Sequence, residues 1–324
     1  MKSVVAENII PNISICIPAY KNVSFLKRLL DSIAIQSYKD YEVVISDDSP
    51  DRAVQDLVET YHGRIERMVY QSNAIAYGMP ENWNKAIERS TGQWKKIMHD
   101  DDWFVDKDSL ALFAAEADRS GASFIFSNYI NKNLEDGKTH SVVFPKYKLK
   151  ELEKNPLVLM AGNLIGPPSV CMVHETLIGK YNSHLHWLVD IDYYIQIILK
   201  GGTISHIGKE LVYIGVNQQQ ITNAVKNDPK IEIGEAKVLL DTYGVKWLKN
   251  PFVYDGWWRL FRNMGIENEA QLIEYGGGGW PALVKKILAH QKNVPQNLIK
   301  IGPFSKVFMI LSYLRQYHKF KEYQ

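Results

Sequence analysis

Three consecutive carboxylates, Asp100, Asp101 and Asp102, follow the predicted buried strand 94–98 and precede Trp103. In an extended segment alternate side chains share one side, so Asp100 and Asp102 would together offer oxygen ligands to a hard divalent cation. An acidic helix N-terminus is the alternative, because Asp often caps helices. A helix cap needs only one acid, so the presence of three consecutive acids favours a cation site.

A second acidic pair, Asp47 and Asp48, closes the apolar run of residues 41–46. Turn chemistry explains an Asp-Asp-Ser-Pro segment equally well when it is taken alone. Both clusters, however, follow predicted strands of one sheet, and ligands of such sheets bind beyond the carboxyl ends of the strands. Carboxylates that converge there need a cation to offset their repulsion, so the two clusters together indicate a ligand site.

The elements that must position these acids alternate along the first 125 residues. Helical spacing of apolar residues, as in Phe25, Leu26, Leu29, Leu30 and Ile33, separates short β-branched runs, which predicts parallel strands joined by crossover helices. The predicted strands are 13–17, 41–46, 64–70, 94–98 and 124–126, with two short strands in 203–216. Residues 131–150 are predicted to be a polar excursion, 190–200 a helix, and the chain beyond about 222 mostly helical.

Length and composition exclude several classes of protein. The chain has 324 residues, of which 46% are hydrophobic and 23% charged, as in a globular protein with one large domain and an appendage or with two domains. Its two cysteines, Cys16 and Cys171, argue against a disulfide framework and suit a reducing cytoplasm. We see neither a secretory signature nor an apolar run long enough to span a bilayer.

Charge is distributed unevenly. Residues 285–324 contain eight Lys/Arg and one acid, a net charge of +7, which leaves 30 basic and 35 acidic residues, a net charge of −5, in residues 1–284. The basic tail carries an apolar stripe at helical spacing, formed by Val307, Ile310, Leu311, Leu314 and Tyr317. Either this helix lies on an anionic membrane surface, or it packs on the domain with solvated lysines. We expect no nucleic-acid partner, because no recognised binding motif accompanies the charge.

The segments 15–22 (ICIPAYKN) and 43–49 (VVISDDS), the helix 82–92 and the stretch 100–103 (DDDW) occur in an order and spacing that resemble family 2 glycosyltransferases of the GT-A fold. The resemblance covers residues 12–222. It implies an α/β fold with a mixed sheet flanked by helices and a mostly helical C-terminal extension. Residues 1–222 would bind the nucleotide sugar and catalyse transfer, and residues 223–324 would associate with acceptor or membrane.

The resemblance also implies roles for residues on the donor side. Asp100 and Asp102 would hold Mn²⁺ or Mg²⁺ at the diphosphate, in a motif of the Asp-x-Asp type. In the family the motif reads Asp-x-Asp-Asp-Trp. When its Trp is aligned with Trp103, the first Asp of the motif falls on His99. The choice between Asp101 and Asp102 as the direct metal ligand therefore stays open. The residues expected to contact the nucleotide sugar are Pro18, Ala19, Tyr20, Asp47, Asp48, Asn82, Asp100 and Asp101.

On the acceptor side, residues 187–194 resemble the family's segment at the start of a helix whose Asp serves as general base. That position matches Asp190, with Asp192 as the alternative. A carboxylate there takes the proton of the attacking hydroxyl, and the reaction inverts the anomeric centre. Val189 replaces the family's usual Glu, and the alternative is that Asp190 only caps its helix. The residues expected on the acceptor side are Gly166, Pro168, Ser169 and Trp187.

The implied activity is a metal-dependent, inverting hexosyl- or deoxyhexosyltransferase. It would use a nucleotide-diphosphate sugar and a glycan or lipid-linked oligosaccharide acceptor, in bacterial O-antigen or capsule synthesis. The location would be cytoplasmic, with peripheral contact at the inner face of the membrane. The family's Arg-x-His pattern is absent from residues 214–222, where Lys21 or Lys226 would have to substitute. A noncatalytic nucleotide-binding module therefore stays open, whereas a nucleotidyltransferase would carry a glycine-rich loop after the first strand.

Overall fold

The structure, a computed structural model, describes residues 12–217, 227–318 and 320. Within these residues nine strands form one sheet in the order β3-β2-β1-β4-β8-β6-β9-β5, with β7 paired to β6. The strands are β1 (Ile13–Ala19), β2 (Tyr41–Asp47), β3 (Met68–Ser72), β4 (Trp94–Ile97), β5 (Trp103–Phe104), β6 (Phe124–Asn133), β7 (Thr139–Val142), β8 (Cys171–His174) and β9 (Ile204–Val216).

The sheet is mixed, which confirms the expected fold class. Strands β3, β2, β1 and β4 run parallel to their neighbours, and β6 runs parallel to β9. Strand β8 is antiparallel to both β4 and β6, and β5 and β7 are antiparallel to their partners. All seven residues of β2 are buried, as expected for a central strand covered on both faces.

The sequence does not predict β5 or β8, and three further segments differ from the expectation. Strand β3 begins at Met68, four residues later than predicted, because this edge strand is largely exposed and lacks a clear apolar run. Residues 204–216 form one long strand, not two, with register shifts against β6 where a bulge accommodates the bend. The predicted excursion after residue 130 begins as strand, because β6 continues to Asn133 and pairs with β7.

The described helices flank the sheet or form the C-terminal part. They are α1 (Val23–Ala34), α2 (Ala53–Glu59), α3 (Glu81–Glu88), α4 (Ser109–Ser120), α5 (Leu149–Lys154), α6 (Val189–Leu199), α7 (Pro229–Tyr243), α8 (Pro251–Met264), α9 (Glu269–Gly276), α10 (Ala282–Lys292), α11 (Gln296–Ile299) and α12 (Gly302–Tyr317). The apolar stripe of α1 is buried as its spacing predicts. Among the described helices, none combines the length and apolar character that a bilayer crossing requires.

The chain divides into two compact units, each built from three segments. The first comprises the described residues of Met1–Lys146, Ile165–Ser183 and Gln196–Gln218, and it contains the whole sheet. The second comprises those of Tyr147–Leu164, His184–Ile195 and Gln219–Gln324. The predicted domain boundary at residue 222 lies outside the described residues. The assignment of functions to residues 1–222 and 223–324 stays a prediction.

Candidate functional site

The two acidic clusters leave the sheet at one edge, because β1, β2 and β4 run parallel. Ala19 pairs with Asp47 at the ends of β1 and β2, and the N–H of Asp48 donates to the carbonyl of Ala19 at 3.0 Å. After β4, the N–H of Met98 donates to the carbonyl of Cys16 at 2.9 Å. The carboxyl ends of these strands therefore present both clusters at the edge where such sheets bind ligands.

The segment after β4 is a turn, not an extended strand. The N–H of Asp102 donates to the carbonyl of His99 at 3.1 Å, which brings positions three residues apart together. As a result the ligand atoms of His99, Asp101 and Asp102 lie within 4.8 Å of one another. This group includes Asp102 as expected, but it takes His99 and Asp101 where the extended geometry had suggested Asp100. The choice of metal ligands stays a prediction.

The group has the electrostatics of a cation site. Asp102 is 2% exposed, and burial together with the charge of Asp101 raises its pKa well above the usual range. Burial lowers the pKa of His99, so its imidazole is neutral and able to ligate. The buried Nε2 atom of His99 has no hydrogen-bond partner among the described residues. One imidazole nitrogen and two carboxylates fit Mn²⁺, and they fit Mg²⁺, which prefers oxygen alone, less well.

Buried polar groups hold this turn from behind. The hydroxyl of Ser169 accepts the N–H of His99 at 3.0 Å and hydrogen-bonds to the carboxylate of Asp102. Lys96, which is completely buried, donates from Nζ to the carbonyl of Ser169 at 2.6 Å. Burial lowers the pKa of Lys96 to about 7. Ser169, which we expected on the acceptor side, thus contacts the His99–Asp102 turn.

Arg28 on α1 brings a positive charge to the acidic segment. Its guanidinium lies 3.9 Å from the ring centroid of Trp103 and donates to the carbonyl of Asp101 at 3.2 Å. The sequence analysis did not identify Arg28, because a lone arginine on an amphipathic helix carries no signal. Of the two lysines considered as diphosphate contacts, Lys21 lies over the ring of Tyr20, and Lys226 lies outside the described residues.

Asp48 binds a loop of its own chain. Its carboxylate is buried and accepts from the side-chain amide of Asn73 at 2.7 Å. It also accepts the backbone N–H groups of Tyr77 and Gly78 at 3.1 and 2.8 Å. Three such donors fix the loop against the end of β2. Any contact of Asp48 with a nucleotide would therefore be made by a carboxylate that is already rigidly held.

The other expected nucleotide contacts divide into buried and exposed side chains. Asp47 accepts from the N–H of Ser49 and the hydroxyl of Tyr70, both at 2.8 Å, and Asn82 donates to the carbonyl of Ala19 at 3.3 Å. Pro18 is partly buried and Ala19 is fully buried, whereas Tyr20 is 52% exposed at the same strand end. The exposed ring of Tyr20 is available to stack on a base.

Two of the expected acceptor-side residues shape the loop that enters β8. Gly166 has φ of +110°, and a Cβ there would lie 2.6 Å from Cε1 of Tyr129, so the loop requires glycine. Pro168 is buried at the start of a short 3-10 helix. These contacts make the segment rigid, and its role toward an acceptor stays a prediction.

In the second unit, Asp190 lies in the first turn of α6. Its carboxylate accepts the side-chain amide of Asn163 at 2.7 Å and the N–H of Ile191 at 2.8 Å. Burial nevertheless raises the pKa of Asp190 to about 6, and the charge of Glu235 acts in the same direction. Such a carboxylate is ionised at neutral pH and is a stronger base than an ordinary Asp.

Asp192, the alternative base, is 2% exposed and accepts the hydroxyl of Tyr243 at 2.5 Å. This contact ties α6 to α7, and burial together with the hydrogen bond to Asp192 raises the pKa of Tyr243. The carboxylate is therefore engaged inside the second unit. The choice of Asp190 over Asp192 as general base stays a prediction.

Glu235 on α7 fixes the segment that leads into α6. Its carboxylate is buried and accepts the backbone N–H groups of His186, Trp187 and Leu188 at 2.7, 2.9 and 2.8 Å. Trp187, expected on the acceptor side, is partly buried in this segment. Sequence reasoning missed Glu235 because it is 45 residues from Asp190 and belongs to no local motif.

Comparison with known proteins identifies relatives of the sheet-containing part. Residues 14–173 match the family model described as glycosyl transferase family 2. An uncharacterised glycosyltransferase of Haemophilus influenzae is 24% identical over 189 residues, which are 57% of this chain and 62% of that protein. The match thus spans just under two thirds of this relative's length.

Two solved structures share the fold over nearly the whole chain. TarS of S. aureus (residues 1–349), in complex with UDP-GlcNAc, has a TM-score of 0.58 at 16% identity, over 97% of this chain and 92% of that one. The mannosyltransferase PcManGT of Pyrobaculum calidifontis, in complex with GDP-Man and Mn²⁺, has a TM-score of 0.56 at 15% identity, over 96% and 88%. These similarities confirm the GT-A fold.

Proposed function

Since residues 14–173 match the model of glycosyl transferase family 2, we propose that this protein transfers a sugar from a nucleotide-diphosphate donor to a hydroxyl group of a glycan. The observation that carries the proposal is the group formed by His99, Asp101 and Asp102 at the carboxyl ends of the parallel strands. It supplies ligands at the edge of the sheet where a nucleotide diphosphate is expected. The sugar is a hexose or deoxyhexose.

His99, Asp101 and Asp102 would hold Mn²⁺ or Mg²⁺. When bound, the ion neutralises the charge that develops on the leaving nucleoside diphosphate. The chain's own groups orient the donor. The exposed ring of Tyr20 stacks on the base, and Asp48 is held rigidly enough to accept from it. Arg28, next to the acidic segment, adds positive charge on the diphosphate side.

Asp190 is the proposed general base. The acceptor oxygen forms a bond to the anomeric carbon while the bond from that carbon to the diphosphate oxygen breaks, and the electron pair leaves with the diphosphate. The hydroxyl proton passes to the carboxylate of Asp190, whose pKa of about 6 suits this transfer near neutral pH. A single displacement of this kind inverts the anomeric centre.

We further propose that the acceptor belongs to a bacterial surface polysaccharide, an O-antigen or capsule unit, and is carried on a lipid. The reaction would take place in the cytoplasm at the inner face of the membrane, with peripheral contact. The resemblance of the sequence motifs supports this acceptor class, and the net charge of +7 in residues 285–324 supports the location.

A panel of UDP, GDP, CDP and dTDP sugars tests the proposal by thermal shift, with Mn²⁺ or with EDTA, because a ligand that binds the native state raises its melting temperature. One nucleotide should stabilise the protein strongly, and EDTA or Asp102→Asn should remove most of that shift. Absence of a shift with every nucleotide would refute the proposal.

The alternative is a noncatalytic module that binds the same nucleotide. Val189 in place of the usual Glu, and the absence of the Arg-x-His pattern, favour this alternative. Release of nucleoside diphosphate in the presence of matching donor and a soluble glycan acceptor separates the two. Binding without release across a glycan acceptor panel would favour the module.

A further inference from the structure

Helix α12 (Gly302–Tyr317) turns an apolar face to solvent. Seven apolar side chains on and next to this helix are 45–55% exposed, and together they form the outer stripe: Ile301, Phe304, Val307, Ile310, Leu311, Leu314 and Tyr317. Single exposed apolar residues are common, but a continuous stripe of seven is a feature of interaction surfaces.

The opposite face of α12 is mostly polar, with Met309 as its buried apolar residue, and it is the face that packs. The hydroxyl of Ser305 accepts the indole N–H of Trp258 at 3.0 Å, and the hydroxyl of Ser312 hydrogen-bonds to the hydroxyl of Tyr254 at 2.6 Å. Ser312 also lies 2.8 Å from Nδ1 of His290, and Gln316 is buried on the same side.

These hydrogen bonds set the rotation of the helix about its axis. Turning the outer stripe inward would leave the buried partners of Ser305 and Ser312 unsatisfied, which is costly. The stripe is therefore exposed because the polar face is anchored. The sequence left two interpretations open: the helix lies on a membrane surface, or it packs on the domain. The structure shows that the outer stripe is not the side on which α12 packs.

The segment that carries the outer stripe has charges of one sign. Residues 275–321 contain eight Lys/Arg and no acid. At helical spacing Arg315 lies beside Leu311 and Leu314, and Lys300 precedes the first turn. Lys306 flanks Val307 on the other margin and pairs with Asp255 at 2.8 Å. Lys319 and Lys321 add to the charge by sequence and lie outside the described residues.

We propose that the outer stripe of α12 docks on an anionic lipid surface, with its apolar side chains at the boundary of the acyl chains and its cations among the headgroups. Charge complementarity selects this occupant. A second copy of the chain would bring two surfaces of net positive charge together, which repels. An acidic partner without lipid would leave the apolar stripe without a matching surface.

The inference deepens the proposed function and rests on it in one respect: docking would hold the enzyme where a lipid-linked acceptor is found. The docking itself can be tested without an acceptor. Nucleotide binding, measured by the thermal-shift panel above, reports on the proposed function and does not depend on α12. A negative result for vesicle docking therefore leaves the nucleotide-binding result interpretable, and the reverse also holds.

The test is sedimentation of the full chain with phosphatidylcholine vesicles that contain either no anionic lipid or about 30% phosphatidylglycerol. The triple variant Val307→Ser, Leu311→Ser, Leu314→Ser removes apolar surface and keeps the charge. The double variant Lys300→Gln, Arg315→Gln removes two positive charges and keeps the apolar surface. Val143→Ser, at a 61% exposed apolar residue in the first unit, is the matched control.

We expect the wild type to bind anionic vesicles at least about tenfold better than neutral ones, and the advantage to shrink as salt rises. The triple variant should lose about tenfold or more on anionic vesicles, the double variant should lose most of the preference for anionic lipid, and Val143→Ser should bind like the wild type. Each variant must keep the wild-type melting temperature, which exposed positions allow.

Three outcomes would overturn the proposal. One is equal binding to both vesicle types, or binding to neither. Another is wild-type binding by the triple variant. The third is a concentration-dependent dimer, seen by sedimentation velocity, that the triple variant abolishes, because a second copy would then cover the outer stripe.

Discussion

The side-chain amide of Asn163 donates to the carboxylate of Asp190 at 2.7 Å, at the N-terminal end of α6. This hydrogen bond stabilises the ionised form, whereas burial and the charge of Glu235 destabilise it, and the balance puts the pKa of Asp190 at about 6. If Asp190 is the general base, its ionisation must appear in the pH dependence of transfer.

Removal of the Asn163 amide should therefore move the pH profile. For the wild type we expect kcat/KM to rise with pH through about 6 and then level off. In Asn163→Ala the ionised carboxylate loses a donor, so the pKa of Asp190 rises and the acid limb moves to higher pH. At alkaline pH the variant should approach wild-type activity. An unshifted limb would contradict the role of this pair.

Replacement of the base should separate activity from stability. In Asp190→Asn we expect transfer to fall by about 10²-fold or more, with donor binding unchanged. Because the pKa of Asp190 is higher folded than unfolded, the wild type loses stability as pH rises from about 4 toward about 6, and Asn does not titrate. The melting temperature of the variant relative to wild type should therefore increase over this range. Wild-type turnover in Asp190→Asn would refute the base assignment.

Glu235 should act as a positioning residue for the start of α6. In Glu235→Gln one oxygen becomes an amide that cannot accept, so the N–H groups of residues 186–188 lose part of their anchor. We expect kcat to fall about tenfold or more with little change in the donor KM. Loss of the charge also lowers the pKa of Asp190, so the acid limb should move to lower pH, opposite to Asn163→Ala.

Glu232→Gln on the same helix is the control for Glu235. Its carboxylate accepts the N–H of Asn227, whereas the N–H groups of residues 186–188 are held by Glu235. It should leave both kcat and the pH profile unchanged. A loss of activity in Glu235→Gln without any shift of the acid limb of the pH profile would indicate a general structural defect. Thermal unfolding would reveal such a defect as a lower melting temperature.

Local patterns were enough to predict the elements that carry the donor side. Strands β1 and β2 are largely apolar, α1 has a clear helical stripe, and the acids at residues 47–48 and 100–102 lie at the end of a strand or just after one. Such signals depend on neighbours in sequence. The sequence therefore predicted that both acidic clusters would lie at one edge of the sheet.

Contacts between distant residues could not be predicted in the same way. The turn at 99–102, which brings His99 to Asp102, depends on Ser169 and Gly215 as backing groups. Hydrophobic periodicity identified the stripe of α12 but not its direction, because that is decided by partners of Ser305 and Ser312 on other helices. Periodicity measures separation of apolar from polar residues, and it does not show which side is buried.

Gly215 on β9 is tightly constrained by the acidic turn. Its N–H donates to the carboxylate of Asp102 at 3.1 Å, and a Cβ at this position would lie 2.3 Å from the carbonyl oxygen of Asp101. Because that atom is backbone, Gly215→Ala must displace the turn, at a cost of about 1–3 kcal/mol. We expect Mn²⁺-dependent nucleotide binding to weaken about tenfold or more by calorimetry.

Gly208→Ala on the same strand is the matched control. Its Cβ would meet only the end of the flexible Lys146 side chain, at 3.2 Å from Nζ. Nucleotide affinity should then stay within about twofold of wild type. If Gly215→Ala binds the Mn²⁺ complex normally, the acidic turn is not the metal site.

Ser169 should set the affinity for the ion without ligating it. Its hydroxyl holds the N–H of His99 and the carboxylate of Asp102, so Ser169→Ala frees two groups of the His99–Asp102 turn. Loss of such supporting hydrogen bonds typically weakens metal binding about 10–100-fold.

Ser127→Ala is the control, because the buried hydroxyl of Ser127 has no hydrogen-bond partner among the described residues. Titration of Mn²⁺ in the presence of the preferred nucleoside diphosphate, followed by the electron paramagnetic resonance of free Mn²⁺, should show the loss in Ser169→Ala alone. Equal affinities in both variants would mean that the ion binds elsewhere.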